Sequence, residues 1–309
     1  MIEIENLRKE YGDLVAVGGI SFEVRAGTIF GLLGPNGAGK STTISCISSL
    51  IRPTSGEVRI AGHDIRRDSV AARRHLGLVP QELALYEDLS AAENLRYWGA
   101  AYGLRGRHLQ QRLASVLEAV GLADRAKEPV KRYSGGMKRR LNFACGLVHE
   151  PRVLLLDEPT VGVDPQSRVR LLELVRQQAE SGTAVLYTTH YMEEAQGLCD
   201  RLAIIDHGKI VAEGDLAQLQ AMLGEKDLVR LSGRFDPAVV AARMERIDAA
   251  EIVQLENDSL VLALPRAGRA LPEIFEAAAE AGAEIRETTI SRPSLETLFI
   301  KLTGRELRE

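Results

Sequence analysis

The sequence predicts an α/β fold built around a phosphate-binding loop, followed by a small α+β domain of ferredoxin-like plan. Three observations carry this. Residues 34–41 read Gly-Pro-Asn-Gly-Ala-Gly-Lys-Ser, a complete G-x-x-x-x-G-K-S loop, with the apolar run Ile29–Leu33 before it and a helix-compatible stretch from Lys40 after it. From residue 152 onward, apolar runs alternate with helical stretches, the pattern of a parallel sheet flanked by helices. Beyond residue 225 the order of elements reads βαββαβ.

Taken in order, residues 1 to about 62 are β-rich, with strands at Met1–Glu5, Ile20–Val24, Ile29–Leu33 and Glu57–Ala61 and turns at Gly12-Asp13 and Ala26-Gly27. A short strand, Leu76–Val79, precedes Pro80. Residues 83 to about 127 read as helical, because Leu95, Trp98, Leu113, Val116, Leu117 and Val120 recur at near-helical spacing. Then come a strand at Val153–Asp157, a helix from Pro165, a strand at Ala184–Thr189, a helix near Met192–Cys199 and a strand at Leu202–Asp206. His207-Gly208 turns a short hairpin into Lys209–Glu213. Asp164 as N-cap, Pro165 at the first position and Gly182 past the end punctuate the helix from 165. These elements give domains of 1–224, with a helical subdomain at about 83–150, and 225–309. The second closes with a helix whose Leu295, Leu298, Phe299 and Leu302 form one apolar face.

At 309 residues the chain accommodates two domains. Its net charge of −4 argues against a nucleic-acid partner held mainly through phosphates. The basic clusters Arg66-Arg67, Arg73-Arg74 and Lys138-Arg139-Arg140 read as solvated helix faces. Three cysteines without metal-ligand spacing fit reduced thiols in a cytosolic protein. The acidic, strand-like N-terminus is no signal peptide, and no apolar run approaches the ~18–20 residues that span a bilayer, so any membrane span is supplied by another chain.

A buried strand feeding a glycine turn that opens a helix aims backbone amides at one point, where they and the helix N-terminus bind the β- and γ-phosphates of a nucleotide. Lys40 would neutralise those phosphates, and the Ser41 hydroxyl would ligate Mg²⁺. The run Val153-Leu154-Leu155-Leu156-Asp157-Glu158 places two acids at the carboxyl end of a buried strand, the edge at which ligands of open α/β sheets bind. Asp157 there can hold Mg²⁺, and Glu158 can accept a proton from an attacking water. Tyr133-Ser134-Gly135-Gly136-Met137 opens a helix, and its amides could grip a second phosphate face; a plain helix cap is the competing reading. Gln81, after Pro80, could orient a water and touch Mg²⁺. His190, after the 184–189 strand, could reach a γ-phosphate. Each of the last two is uninformative alone.

Order and spacing add what single residues lack. Residues 1 to about 220 resemble the nucleotide-binding subunit of an ABC transporter: an aromatic at Tyr11, the loop at 34–41, Gln81, the signature at 133–137, the pair Asp157-Glu158, a loop ending in Asp164, and His190 follow in that family's order. Its commonest signature, Leu-Ser-Gly-Gly-Gln, here has Tyr133 and Met137 at the ends. That variant, together with Thr188-Thr189-His190-Tyr191-Met192-Glu193-Glu194 and the tail Pro293-Ser294-Leu295-Glu296-Thr297-Leu298-Phe299, is similar to ATPases of daunorubicin-type drug exporters.

The resemblance implies a cassette of mixed-sheet core, antiparallel β subdomain and helical subdomain. It implies ATP and Mg²⁺, with Tyr11, Gly34, Pro35, Asn36, Gly37, Ala38, Gly39, Lys40, Ser41 and Thr42 at the nucleotide, and Glu158, His190, Gln81 and Lys40 in catalysis. Mg²⁺ would be held by Ser41, Gln81 and Asp157. Ser134, Gly135, Gly136, Met137 and Asp164 would contact the ATP of a second copy. The partners are then that copy and an integral-membrane permease at the inner face of the cell membrane, with no nucleic acid. Soluble ABC ATPases of DNA repair carry long coiled coils between loop and signature, and ABC translation factors carry two cassettes; this chain has neither. A dead binding module would not retain Lys40, Asp157, Glu158 and His190 together.

Overall fold

The computed structural model describes residues 1–222, 226–291 and 294–303. The chain divides into two compact units, Met1–Val211 and Ala212–Glu309. The boundary expected at 224/225 and Pro293 of the tail motif lie outside the described residues.

The first unit opens with β1 (Ile2–Tyr11) and β2 (Leu14–Val24), an antiparallel pair closed by the Gly12-Asp13 turn. Both strands run well beyond the segments read from sequence. Ile2, Ile4 and Leu7 all face the core although their spacing breaks strict alternation. The pairing register shifts between Ile4 and Leu7, and Asn6 takes a left-handed φ of 49°, which returns Leu7 to the buried side. Next come β3 (Ile29–Leu33), α1 (Lys40–Ile47), β4 (Ser55–Ile60) and β5 (His63–Asp64). The first sheet is antiparallel, in the order β2-β1-β4-β5.

After α2 (Ser69–Arg74) and β6 (Leu76–Val79) the chain enters a helical region of α3 (Ala91–Ala101), α4 (Gly106–Ala119), two single 3₁₀ turns and α5 (Gly135–Leu147). The first helix starts at Ala91, not near 83. Ser90 and Glu93 form a reciprocal capping box that fixes the start. The preceding loop spends its amides on side chains instead: Ala84 N donates to Asn142 Oδ1 and Tyr86 N to Asn94 Oδ1. Then follow β7 (Val153–Asp157), α6 (Pro165–Glu180), β8 (Ala184–Thr189), α7 (Met192–Leu198), β9 (Arg201–Asp206) and β10 (Lys209–Gly214). The central sheet runs β10-β9-β3-β8-β7-β6, with β9, β3, β8, β7 and β6 mutually parallel. All residues of β3, β7 and β8 are buried, as expected for strands covered on both faces. Cys46 and Cys145 are buried, Cys199 is half-buried, and burial holds all three thiols above the ordinary thiol range.

The second unit contains α8 (Leu216–Ala221), β11 (Lys226–Arg234), α9 (Pro237–Met244), β12 (Glu251–Leu255), β13 (Ser259–Pro265), α10 (Ala267–Glu280), β14 (Glu284–Ser291) and α11 (Leu295–Thr303). Its antiparallel sheet has the order β12-β13-β11-β14, the ferredoxin-like arrangement the βαββαβ reading implied. Val229, Leu231, Leu260 and Leu262 pack with Val240, Met244 and Ile274 of α9 and α10. The face of α11 is corrected by the structure. Leu295, Leu298 and Phe299 are buried, but Leu302 in the last turn is 36 % exposed while Thr297 and Ile300 are covered, so the helix is enclosed on more than one side.

Candidate functional site

Every residue of β3 is buried, so its carboxyl end is a fixed launching point for the turn into α1. Two glycines have no room for a side chain. A Cβ on Gly34 would overlap the Ile205 carbonyl oxygen, and one on Gly39, at φ 105°, would overlap that of Ala16. The loop is clamped from outside: Gly208 N donates to Ala38 O at 2.9 Å, and Gly18 N donates to Gly208 O at 2.7 Å. Lys40, 4 % exposed, donates from Nζ to the carbonyls of Gly34 (2.6 Å) and Pro35 (3.0 Å).

The ends of β7 and β8 stand beside this loop. Asp157 Oδ1 accepts from Thr188 Oγ1 at 2.7 Å and from Ser41 Oγ at 3.2 Å. Burial lifts the Asp157 carboxyl above its ordinary value, and those two hydroxyls work against the lift. Glu158 adopts a left-handed φ of 44°, and its amide is held by the Thr188 hydroxyl at 3.0 Å. That twist sends its side chain away from that of Asp157, into a cluster of groups from separate segments. Lys40 Nζ lies 3.0 Å from Oε1, His190 Nδ1 lies 3.2 Å from Oε2, and Gln81 Nε2 donates to Oε2 at 3.4 Å. A carboxylate only 5 % exposed is tolerable there because cation and donors surround it. Lys40, Ser41, Gln81, Asp157, Glu158 and His190, from four separated stretches of the chain, therefore meet in one place.

All of these but Asp157 line a cleft of about 730 Å³ together with Tyr11, Asn36, Gly37 and Thr42, and Asp157 stands behind its wall, hydrogen-bonded to Ser41. The Tyr11 ring is 48 % exposed at its mouth, with Lys9 Nζ 4.7 Å from the ring centroid. Sequence reading missed part of the wall. Val15 and Ala16 of β2 and the His207-Gly208 turn also line it, and the backbone of Ala16 and Gly208 presses on the loop at Gly39, an apposition that leaves no chemical signature in the sequence.

The signature segment does not line this cleft. Ser134 is the N-cap of α5, its Oγ accepting from Met137 N at 3.3 Å. Gly136 packs against the start of α6: a Cβ there would overlap Ser167 and lie 3.1 Å from Asp164 Oδ2. Asp164 caps α6, accepting from Ser167 N at 2.9 Å. Met137 turns inward, 9 % exposed, and its sulfur accepts from Arg125 Nη1 at 3.4 Å, so its side chain is not offered outward. The expectation that Lys138-Arg139-Arg140 is a solvated face is also corrected. Arg139 donates to the Gln81 and Val161 carbonyls and Arg140 to the Val120 carbonyl, which ties α5 to the loops on either side.

A phosphate loop on a parallel sheet, with an acid pair at the end of β7, one strand removed from β3 across β8, defines a P-loop nucleotide hydrolase. A sequence profile for the ABC transporter family matches residues 17–161, and one for the C-terminal domain of DrrA1-3-like ATP-binding proteins matches 214–303. The linearmycin resistance ATP-binding protein LnrL of Bacillus subtilis is 43 % identical over the full length of both chains. The daunorubicin/doxorubicin resistance ATP-binding protein DrrA of Streptomyces peucetius is 40 % identical, covering 98 % of this chain and 92 % of that one. The Nod factor export ATP-binding protein I of Ralstonia nicotianae is 38 % identical, covering 100 % and 95 %. A solved dimeric ATP-binding cassette in a post-hydrolysis state with ADP and Pi shares 26 % identity and a TM-score of 0.63 over 70 % of this chain and 98 % of that one. The chain belongs to the ABC transporter family, as an ATP-binding and ATP-hydrolysing subunit. Among the described residues no helix is long and apolar enough to cross a membrane.

Proposed function

We propose that two copies of this chain, docked on a separate membrane permease at the cytoplasmic face, use ATP to drive export of a drug-like or amphiphilic compound. The observation that carries the reading is the convergence of Lys40, Gln81 and His190 on Glu158, while Ser134–Met137 of the same chain lie apart from that cleft. One copy then offers its loop and acids, and the other its signature, to each ATP. Relatives named for linearmycin resistance, daunorubicin/doxorubicin resistance and Nod factor export support the substrate class.

In this reading Tyr11 stacks on adenine, and the amides of 34–39 with Lys40, Ser41 and Thr42 hold the phosphates. Ser41, Asp157 and Gln81 present a hydroxyl, a carboxylate and an amide, hard oxygen donors that suit Mg²⁺, which would supply charge neutralisation at the β- and γ-phosphates. Glu158 accepts the proton of the attacking water, which Gln81 orients, and His190 donates to the γ-phosphate. The amides of Ser134, Gly135, Gly136 and Met137, with Asp164, close over the partner's nucleotide, so that charge stabilisation is complete only on closure. The apolar groove lined by Leu50, Leu78, Pro80, Trp98 and Tyr102 adjoins the Gln81 loop and receives the permease. Co-expression with the candidate permease tests this: a stable complex with compound-stimulated ATPase activity is expected, and a chain that neither co-purifies nor responds refutes it.

A further inference from the structure

Below the turn that carries His190 lies a buried polar cluster that the reading above leaves without a task. Glu194, in the first turn of α7, is only 4 % exposed. Its Oε2 accepts from the Tyr187 hydroxyl at 2.8 Å and from the Thr189 hydroxyl at 3.0 Å. Thr189 Oγ1 in turn accepts from Tyr191 N at 2.9 Å, which fixes the bend on which His190 sits. The Tyr187 hydroxyl also stands 3.5 Å from Thr160 Oγ1, in the loop that follows Glu158.

The other carboxylate oxygen is treated differently. Glu194 Oε1 faces Arg168 Nε at 3.6 Å, and neither atom has a hydrogen-bond partner among the described residues. Arg168 belongs to the first turn of α6. Its guanidinium lies over the Tyr191 ring, 4.8 Å from the centroid, and that ring is 4.2 Å from the His190 ring. A nearly buried carboxylate needs its charge balanced, and here the cation stands at ion-pair distance from Oε1 without a hydrogen bond to it. A packing role alone would be served by a neutral, fully matched group. An ion pair held just out of hydrogen-bond range can instead close or open with a small shift of either helix.

We propose that Glu194, Tyr187 and Arg168 are positioning residues for His190: they tie the 189–191 turn to the first turn of α6, so that engagement of His190 is transmitted to Asp164 and to Gly136, which packs on that turn. Within one chain this links the γ-phosphate end of one ATP to the signature that serves the other. The inference rests on the role of His190 given under Proposed function.

The test uses steady-state ATPase kinetics of the full chain. Glu194→Gln keeps an amide oxygen for the Tyr187 and Thr189 hydroxyls but removes the charge facing Arg168. It should lower kcat roughly tenfold or more, as small misplacements of a reacting group do, with KM for ATP little changed and the melting temperature nearly that of wild type. Tyr187→Phe, which preserves the ring, should act in the same direction and serves if Glu194→Gln folds poorly. Because these residues act through His190, adding either change to His190→Ala should cost little more than His190→Ala alone. Additive losses, or a lowered melting temperature with unchanged kcat, overturn the connector while leaving the role of His190 intact. A wild-type rate in His190→Ala overturns both.

Discussion

Glu158 is the residue on which the proposed chemistry depends, and its backbone shows a cost. A left-handed φ of 44° is uncommon for a glutamate, and it is retained because Thr188 grips the amide on one side while Lys40, Gln81 and His190 hold the carboxylate on the other. If it is the general base, Glu158→Gln should retain ATP binding, lose turnover by roughly 10²–10⁴-fold and accumulate as an ATP-bound dimer on size exclusion. Near wild-type hydrolysis would remove it from that role. A second residue-scale prediction concerns pH. His149 stacks on Tyr102, with 3.5 Å between ring centroids, and burial pushes its imidazole down to about 4. A depressed histidine favours the fold while neutral. Its contribution is present above the unfolded value near 6.5 and is lost as pH falls from there toward 4. The melting-temperature advantage of wild type over His149→Gln should therefore shrink between pH 7 and pH 4.5; a constant gap would show no linkage. At this scale the cluster was legible where the side-chain type itself suggests chemistry: Lys40, Glu158 and His190 do meet, with Asp157 beside them on Ser41. It was illegible where backbone forms the wall, as at Ala16 and Gly208, and where a basic run turned inward, as at Arg139 and Arg140.

Among the elements, the start of α5 packs closely against the start of α6 at Gly136 and Ser167. Gly136→Ala would push a methyl into Ser167, costing ~1–3 kcal/mol as overpacking does. Adding Ser167→Gly should restore most of the lost melting temperature, and a failure of that rescue would show that the signature glycine is kept for another reason. Buried strands were read correctly because a run such as Val153–Leu156 has one explanation in an α/β chain. Helix edges were not, because they depend on which partner takes the loop amides: Ser90 with Glu93 decided that the first helix begins at 91, and periodicity contains no trace of that. The exposed Leu302 has the same origin, since spacing gives a helix face but not where its neighbours stop.

For the whole molecule, the composite site is the claim to test. Ser134→Arg should abolish hydrolysis by the homodimer and leave ATP binding to isolated monomers nearly intact. Mixing it with a Lys40→Ala protein should recover part of the activity, because one of the two shared sites is then whole; mixed dimers of proven composition without activity would count against sharing. The second unit carries no glycine-rich phosphate turn, and its sheet and helices form a hydrophobic core of their own. A fragment of residues 1–224 should therefore bind ATP with near wild-type affinity, measured by titration, while losing assembly with the permease. A folded fragment with severely weakened affinity would assign the tail a part in the site.

The three cysteines bear on how such experiments can be read. Their thiols are held in the protonated, unreactive form by burial, Cys46 up to about 11 and the other two further still. At neutral pH the native chain should therefore react slowly with maleimides and other thiol-directed dyes, the half-buried Cys199 first, as a labelling time course would check. A single cysteine placed at an exposed position such as Arg132 or Asp13 would be the handle a label finds soonest, so fluorescence reporters of opening and closing can be installed without first stripping the protein of its own sulfur.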